Sequence, residues 1–291
     1  MLMKRVIAAC AILILITVIC AMSVGWLLAR PVQTAIGNPT ADLNAEAVTF
    51  ASDSGATVHG WWCPIQNASG AVLLLPGIRA NRLSMVERAR FLRRAGYSVL
   101  LIDFQATGDT KGDYITFGWK ESRDVLAAID FVRQTDPTVP VAIIGSSLGG
   151  VATLLATPPL KIDALVLEEV YPTIEIATHN RLENYLGAFG RILTPLLLNQ
   201  LQWRIGVSAS QLRPIDHIEN VECPVFIING ENDRNTRPTD TRMLVERARH
   251  PKEVWFVPNA GHVDLHQAAR QEYETRVLGF LATIGRIPPH Q

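Results

Sequence analysis

Six short apolar runs separated by stretches with helical periodicity constrain this 291-residue chain more than any other feature of its sequence. The runs cover residues 71–75, 98–102, 141–144, 164–167, 225–228 and 254–257. They are rich in Val, Ile and Leu without polar alternation, which is the pattern of strands buried on both faces. Between them, residues 82–95, 120–134, 148–156, 239–249 and 264–284 carry the 3.6-residue period of amphipathic helices. Strands that return to one sheet through helices run parallel with right-handed crossovers, so the expectation is an α/β fold with helices on both faces of a mostly parallel sheet. Two earlier runs, 47–51 and 57–62, flank the turn Asp53-Ser54-Gly55 and predict an antiparallel hairpin that brings the sheet to eight strands. Composition agrees: 48% hydrophobic and 19% charged residues are too apolar for a disordered chain. With 27 basic against 27 acidic residues there is no basic footprint for nucleic acid, and no such partner is expected.

A second apolar feature lies outside this alternation. Residues 6–28 are uncharged, preceded by Lys4 and Arg5 and closed by Arg30-Pro31. At about 1.5 Å per residue they suffice to cross a hydrocarbon core of ~30 Å. Residues 1–30 are therefore expected to form a transmembrane signal anchor. Ala21-Met22-Ser23 also offers a small-x-small cleavage site, so a cleaved signal peptide and a secreted domain compete with retention. The apolar stretch runs on through Val24, Trp26, Leu27 and Leu28, further than a cleavable core needs, and favours the anchor. Lys4 and Arg5 place the amino end in the cytoplasm and the bulk of the chain on the periplasmic or extracellular side. Residues 31–45 read as a linker and 46–286 as the folded domain. Within it, 171–217 contains helical patterns but no strand, which predicts a small helical cap. Of four cysteines, Cys10 and Cys20 fall in the membrane segment; Cys63 and Cys223 read as buried free thiols, with a disulfide as the alternative in an oxidising compartment.

The chemistry-bearing motif follows the run 141–144. Gly145-Ser146-Ser147-Leu148-Gly149 joins a strand to a helix, a reversal that forces the central residue into a strained conformation and presents its hydroxyl at the sheet edge. Ser147 is the candidate nucleophile. A serine hydroxyl needs a base, and the base needs a carboxylate to orient it. Downstream, the run 225–228 leads into Asn229-Gly230-Glu231-Asn232-Asp233 and the run 254–257 into Pro258-Asn259-Ala260-Gly261-His262. Ser147, Asp233 and His262 thus stand in the order nucleophile, acid, base, each at the carboxyl end of a strand where one crevice collects them. Glu231, Glu168 and Glu169 are alternative carboxylates. An oxyanion needs two backbone donors, assigned to Leu148 after the nucleophile and Ile78 in the loop Pro76-Gly77-Ile78-Arg79-Ala80-Asn81.

On these residues the chain resembles an α/β-hydrolase, similar to bacterial prolyl-oligopeptidase-type and serine-aminopeptidase-type domains. The resemblance covers roughly Glu46 to Arg286 through the oxyanion loop, Asp103 to Asp113, Thr116-Phe117-Gly118-Trp119 with Glu121 and Asp124, the Ser147 elbow, Gly230 to Asp233, and Ala260-Gly261-His262-Val263-Asp264. It implies the α/β-hydrolase fold and a serine hydrolase that uses no cofactor and no metal. The chain departs from the family pattern twice: Pro76-Gly77 stands where His-Gly is usual, and Gln105-Ala106-Thr107-Gly108 where an Arg-Gly-His-Gly-type stretch is usual. The second removes charge near the site and bears on what binds. The expected reaction is cleavage of a carboxylic ester, or related acyl bond, of a small-molecule or lipid-like substrate through an acyl-enzyme. A peptidase, or a silent hydrolase fold used as a binding module, is the alternative. Tyr185, Leu186, Phe189, Ile192, Leu193, Leu201 and Trp203 in the cap serve core packing or line an acyl pocket.

Overall fold

A computed structural model of the chain describes residues 1–249 and 252–283. The hairpin β1 (Glu46–Ala51) and β2 (Thr57–Cys63) opens an eight-stranded sheet. It is completed by β3 (Ala71–Leu75), β4 (Ser98–Ile102), β5 (Val141–Ser146), β6 (Ala164–Glu168), β7 (Val225–Gly230) and β8 (Lys252–Val257). The strand order is β8-β7-β6-β5-β3-β4-β2-β1; β1–β2 and β2–β4 pair antiparallel and all other neighbours parallel. The sheet changes direction between β3 and β5, where crossovers leave to opposite faces and a crevice opens at the carboxyl ends of the strands.

Because successive side chains point to opposite faces, the fully buried strand β3 splits between two cores. Leu73 and Leu75 join the cluster around Val125, Ile143 and Leu167. Val72 and Leu74 join the one around Phe91, Phe226 and Tyr273. That double burial is why the strands read as continuous apolar runs.

The helices are α1 (Leu2–Ala29), α2 (Val86–Arg94), α3 (Glu121–Thr135), α4 (Leu148–Leu154), α5 (Ile174–Leu186), α6 (Phe189–Ile205), α7 (Pro238–Arg247), α8 (Leu265–Ala268) and α9 (Arg270–Leu281). Two expectations are corrected. The helix at 82–95 begins as a 3-10 turn, Arg82–Met85, because Asn81 caps Leu83 N–H at 3.0 Å and Asp103 holds the backbone N–H of Arg82 at 2.8 Å. The helix at 264–284 breaks at Ala269 (φ −141°, ψ 48°) into α8 and α9, and residues 284–286 lie outside the described residues. The cap is a helical pair, α5 and α6, joined through Gly187 at φ +57°. Cys63 and Cys223 are buried free thiols belonging to different cores, and burial pushes them up to about 11 and about 12.

Residues 31–45 are held against the domain along much of their length. Val32 and Gln33 pair in parallel with Thr107 and Gly108, and Leu43 is fully buried. The helix α1 is long and apolar enough to cross a membrane. Its carboxyl end lies on the cap: Gln200 donates to Ala21 O at 3.1 Å and Arg204 to Met22 O at 3.0 Å.

Candidate active site

The junction of β5 and α4 places Ser147 at φ 46°, ψ −106°, a region an L-residue occupies only when its surroundings enforce it. Two glycines explain how the turn is possible. A Cβ at Gly145 would stand 2.6 Å from Gly150 N, and one at Gly149 would stand 2.5 Å from Leu75 O. Any side chain at either position would push β5, α4 and β3 apart. The Ser147 N–H donates to Glu168 O at 2.7 Å, tying the turn to the end of β6.

After β7, the Asp233 carboxylate is fixed by two backbone donors on one oxygen: Asn235 N–H at 2.7 Å and Thr236 N–H at 2.9 Å to Oδ1. Its other oxygen, Oδ2, meets His262 Nδ1 at 2.8 Å. Asp233 is almost completely buried, so the contact is poorly screened and sets the tautomer with the proton on Nδ1. That leaves Nε2 as the basic nitrogen.

Four carboxylates fit the acid's position in the sequence, and their partners separate them. Glu231 is exposed and accepts from Asn259 N–H at 3.3 Å. Glu168 is buried and engaged by Arg88 Nη2 at 2.8 Å and by the Tyr273 hydroxyl. Glu169 sits at φ 55° and accepts Val263 N–H at 2.9 Å, beside the base but bonded to its loop and not to its ring. Burial and the neighbouring Asp233 charge push the Glu169 carboxyl up to about 9, so it is a neutral acid at pH 7. Glu169, Asp233 and His262 each bring one ligand-type atom within 4.8 Å of the others. Within this group Asp233 Oδ2 is on the imidazole and the Glu169 carboxyl is on the Val263 N–H.

Ile78 and Leu148 line the same cavity as Ser147. Gly77 passes close enough that a Cβ there would lie 3.8 Å from Ser147 Cβ. The loop is held from below by Asp103, which pairs with the Arg82 guanidinium and accepts Arg82 N–H at 2.8 Å and Asp109 N–H at 2.9 Å. The cavity is about 260 Å³ and its walls are mostly apolar. Phe117 and Tyr171 are lining residues that the sequence reading did not assign to the site. Phe117 is aimed there by a loop folded around Glu121, whose carboxylate accepts from Thr116 N–H at 2.8 Å, Thr116 Oγ1 at 2.6 Å and Gly118 N–H at 2.9 Å. The quoted Thr116-Phe117-Gly118 motif was the available signal, but nothing local says which way the ring points.

Gln105, expected to alter binding, is buried and structural. Its N–H donates to Asp124 at 2.8 Å, and its amide donates to Tyr114 O at 2.7 Å and Glu121 Oε1 at 2.6 Å. It is absent from the wall of the Ser147 cavity.

A strained serine between strand and helix, a crevice at a sheet switch point and an acid–histidine pair beyond it define one class of protein. The family model described as "Alpha/beta hydrolase family" matches residues 72–275, and the chain belongs to that family. Among individual proteins, it is 30% identical over 225 residues to the uncharacterized protein Rv2307c of Mycobacterium tuberculosis, covering 75% of this chain and 72% of that one. It is 23% identical over 241 residues to the uncharacterized protein YqkD of Bacillus subtilis, covering 81% and 78%. In fold it is similar to the Pyrococcus furiosus esterase Pf2001, with a TM-score of 0.72 at 22% identity over 88% of this chain and 98% of that one.

Proposed function

We propose that the protein is a membrane-anchored serine hydrolase that cleaves a carboxylic ester through an acyl-enzyme. The observation carrying this reading is the 2.8 Å contact between Asp233 Oδ2 and His262 Nδ1 in a site whose serine occupies a strained elbow. Ser147 Oγ attacks the acyl carbon while His262 Nε2 takes its proton. The N–H groups of Ile78 and Leu148 receive the charge that develops on the carbonyl oxygen. The imidazolium, stabilised by Asp233, then protonates the departing alkoxide, and a water activated by His262 releases the acid from Ser147. Throughout, two backbone N–H groups and the imidazole Nδ1–H hold the Asp233 carboxylate in place of water.

The mostly apolar wall favours an ester with a hydrocarbon acyl or alcohol part over a peptide; the two arginines that line it, Arg79 and Arg181, are each engaged by a backbone carbonyl, of Leu27 and Ala177. The domain sits on the periplasmic or extracellular side, with Lys4 and Arg5 retained inside.

Ser147→Ala is expected to lower kcat for short p-nitrophenyl esters by roughly a millionfold, the scale of nucleophile loss in a serine triad. It should also abolish labelling by a fluorophosphonate probe. Labelling that persists in Ser147→Ala removes the assignment; a folded wild type that neither labels nor turns over points to a silent binding module.

A further inference from the structure

The anchor helix α1 contributes directly to the cavity at Ser147. Val24 and Leu28, one turn apart, line it opposite Ile174, Leu182 and Tyr185 of the cap. The carboxyl end of α1 is fixed there by polar contacts to three separate elements. Gln200 and Arg204 of α6 bond to Ala21 O and Met22 O, Arg79 of the oxyanion loop donates to Leu27 O at 2.9 Å, and Ile115 N–H donates to Ala29 O at 2.8 Å. At Gly25 a Cβ would stand 2.4 Å from Gln200 Oε1, so the helix approaches the cap as closely as a glycine permits. A helix that served only as a tether would need none of these contacts.

The rest of α1 is bare. Residues 2–20 contain no buried position; the uncharged run begins at Val6, and at about 1.5 Å per residue residues 6–25 span the ~30 Å of a hydrocarbon core. The membrane surface therefore falls near Gly25, and the contacts of the cap with Ala21 and Met22 lie about one turn inside it, at the lipid interface. At the turn between α5 and α6, Tyr185, Phe189 and Ile192 are 84%, 75% and 73% exposed. Tyr185 belongs both to this apolar tip and to the cavity wall. Large exposed apolar groups gathered next to a spanning helix are covered by lipid at no further cost. At about 260 Å³ the cavity is smaller than the ~300–1,000 Å³ of drug-sized ligand sites and has room for one chain, not two.

We propose that α1 is a wall of the acyl site and that the substrate is a single-chain acyl lipid passed from the adjoining leaflet between α1 and the cap. This rests on reading Ser147 as the nucleophile and α1 as a retained anchor. The carbonyl would reach Ser147 with its chain along Val24 and Leu28, while the polar remainder stays toward water.

The test uses the full chain in phosphatidylcholine vesicles, with Val24→Trp and Leu28→Trp to fill the cavity from the α1 side and Leu15→Trp in the bare part of α1 as control. Each blocking variant is expected to lower the ratio of kcat/KM for p-nitrophenyl laurate to that for the acetate at least tenfold, while Leu15→Trp leaves the ratio as in wild type. Independently of turnover, a non-hydrolysable hexadecyl glycerol ether bearing a diazirine should mark cap residues 174–185 in wild type and mark them at least fivefold less in Leu28→Trp. An unchanged ratio, or cap marking indifferent to Leu28→Trp, overturns the proposal. Should wild type fail to hydrolyse either ester or to label with fluorophosphonate, the catalytic reading falls, and the cross-linking result still decides whether α1 walls a lipid-chain site.

Discussion

Glu169 shows how one residue at this site depends on its surroundings. In the sequence it is one of two adjacent glutamates after a strand; in the fold it is a buried acid that joins three loops. Its N–H donates to Ile228 O at 2.9 Å, its carbonyl accepts from Thr236 Oγ1 at 3.2 Å and its carboxyl accepts from Val263 N–H at 2.9 Å. The carboxyl rises from 4.5 to about 9, first because of burial and then because of the charge on Asp233. An unfolded chain loses this proton near pH 4.5 while the folded chain keeps it to about 9. The contribution to stability is therefore complete below 4.5 and lost progressively as pH rises towards 9. Glu169→Gln keeps the acceptor for Val263 and removes the titration. Its melting temperature is expected to fall less steeply than that of wild type between pH 5 and 9; parallel curves would show that Glu169 is not a neutral acid in the fold.

Among the elements, helix α2 and strand β6 illustrate what patterning reveals and what it leaves out. The apolar period of residues 82–95 announces a helix, yet the same helix carries Arg88, almost fully buried, on its inner face. Arg88 reaches Glu168 at the end of β6 at 2.8 Å and Asp264 ahead of α8 at 2.9 Å, and Glu168 also receives the Tyr273 hydroxyl from α9. This cluster fastens the ends of β6 and α9 beneath the site. Removing one member leaves a buried charge without its partner, which costs about 3–5 kcal/mol. Arg88→Met is therefore expected to lower the urea unfolding free energy by that amount, and a loss below ~1 kcal/mol would mean that the cluster is solvated. The period was legible because helix and strand spacing are local properties. A charged residue at an inward position conflicts with that pattern, and only the partner on a distant strand resolves the conflict. The break at Ala269 was hidden for the same kind of reason: residues 264–284 keep a helical period on both sides of a single residue that leaves the helical region.

At the scale of the whole molecule, the apolar helix α1, the connecting segment and the domain are not independent parts. Leu43 lies within the expected linker but belongs to the core cluster that also holds Val72, Leu74 and Met85, with no exposed surface. Leu43→Ala is expected to cost about 2–5 kcal/mol in urea unfolding of the full chain in detergent. A cost below ~0.5 kcal/mol would show that 31–45 detaches from the domain. By itself the sequence determined the set and order of the eight strands, the elbow at Ser147, the order of serine, acid and histidine, the two cap helices and the apolar span. Each of these follows from short-range spacing, from what a side chain does to its own backbone, or from the length of an uncharged run. Only the tertiary structure decided that Asp233, of four candidate carboxylates, meets His262, that Gln105 is a buried strut, and that Val24 and Leu28 of α1 line the cavity at Ser147. Those outcomes depend on distances between segments far apart in the chain, and apolar pattern says that a surface will be covered without saying by which element.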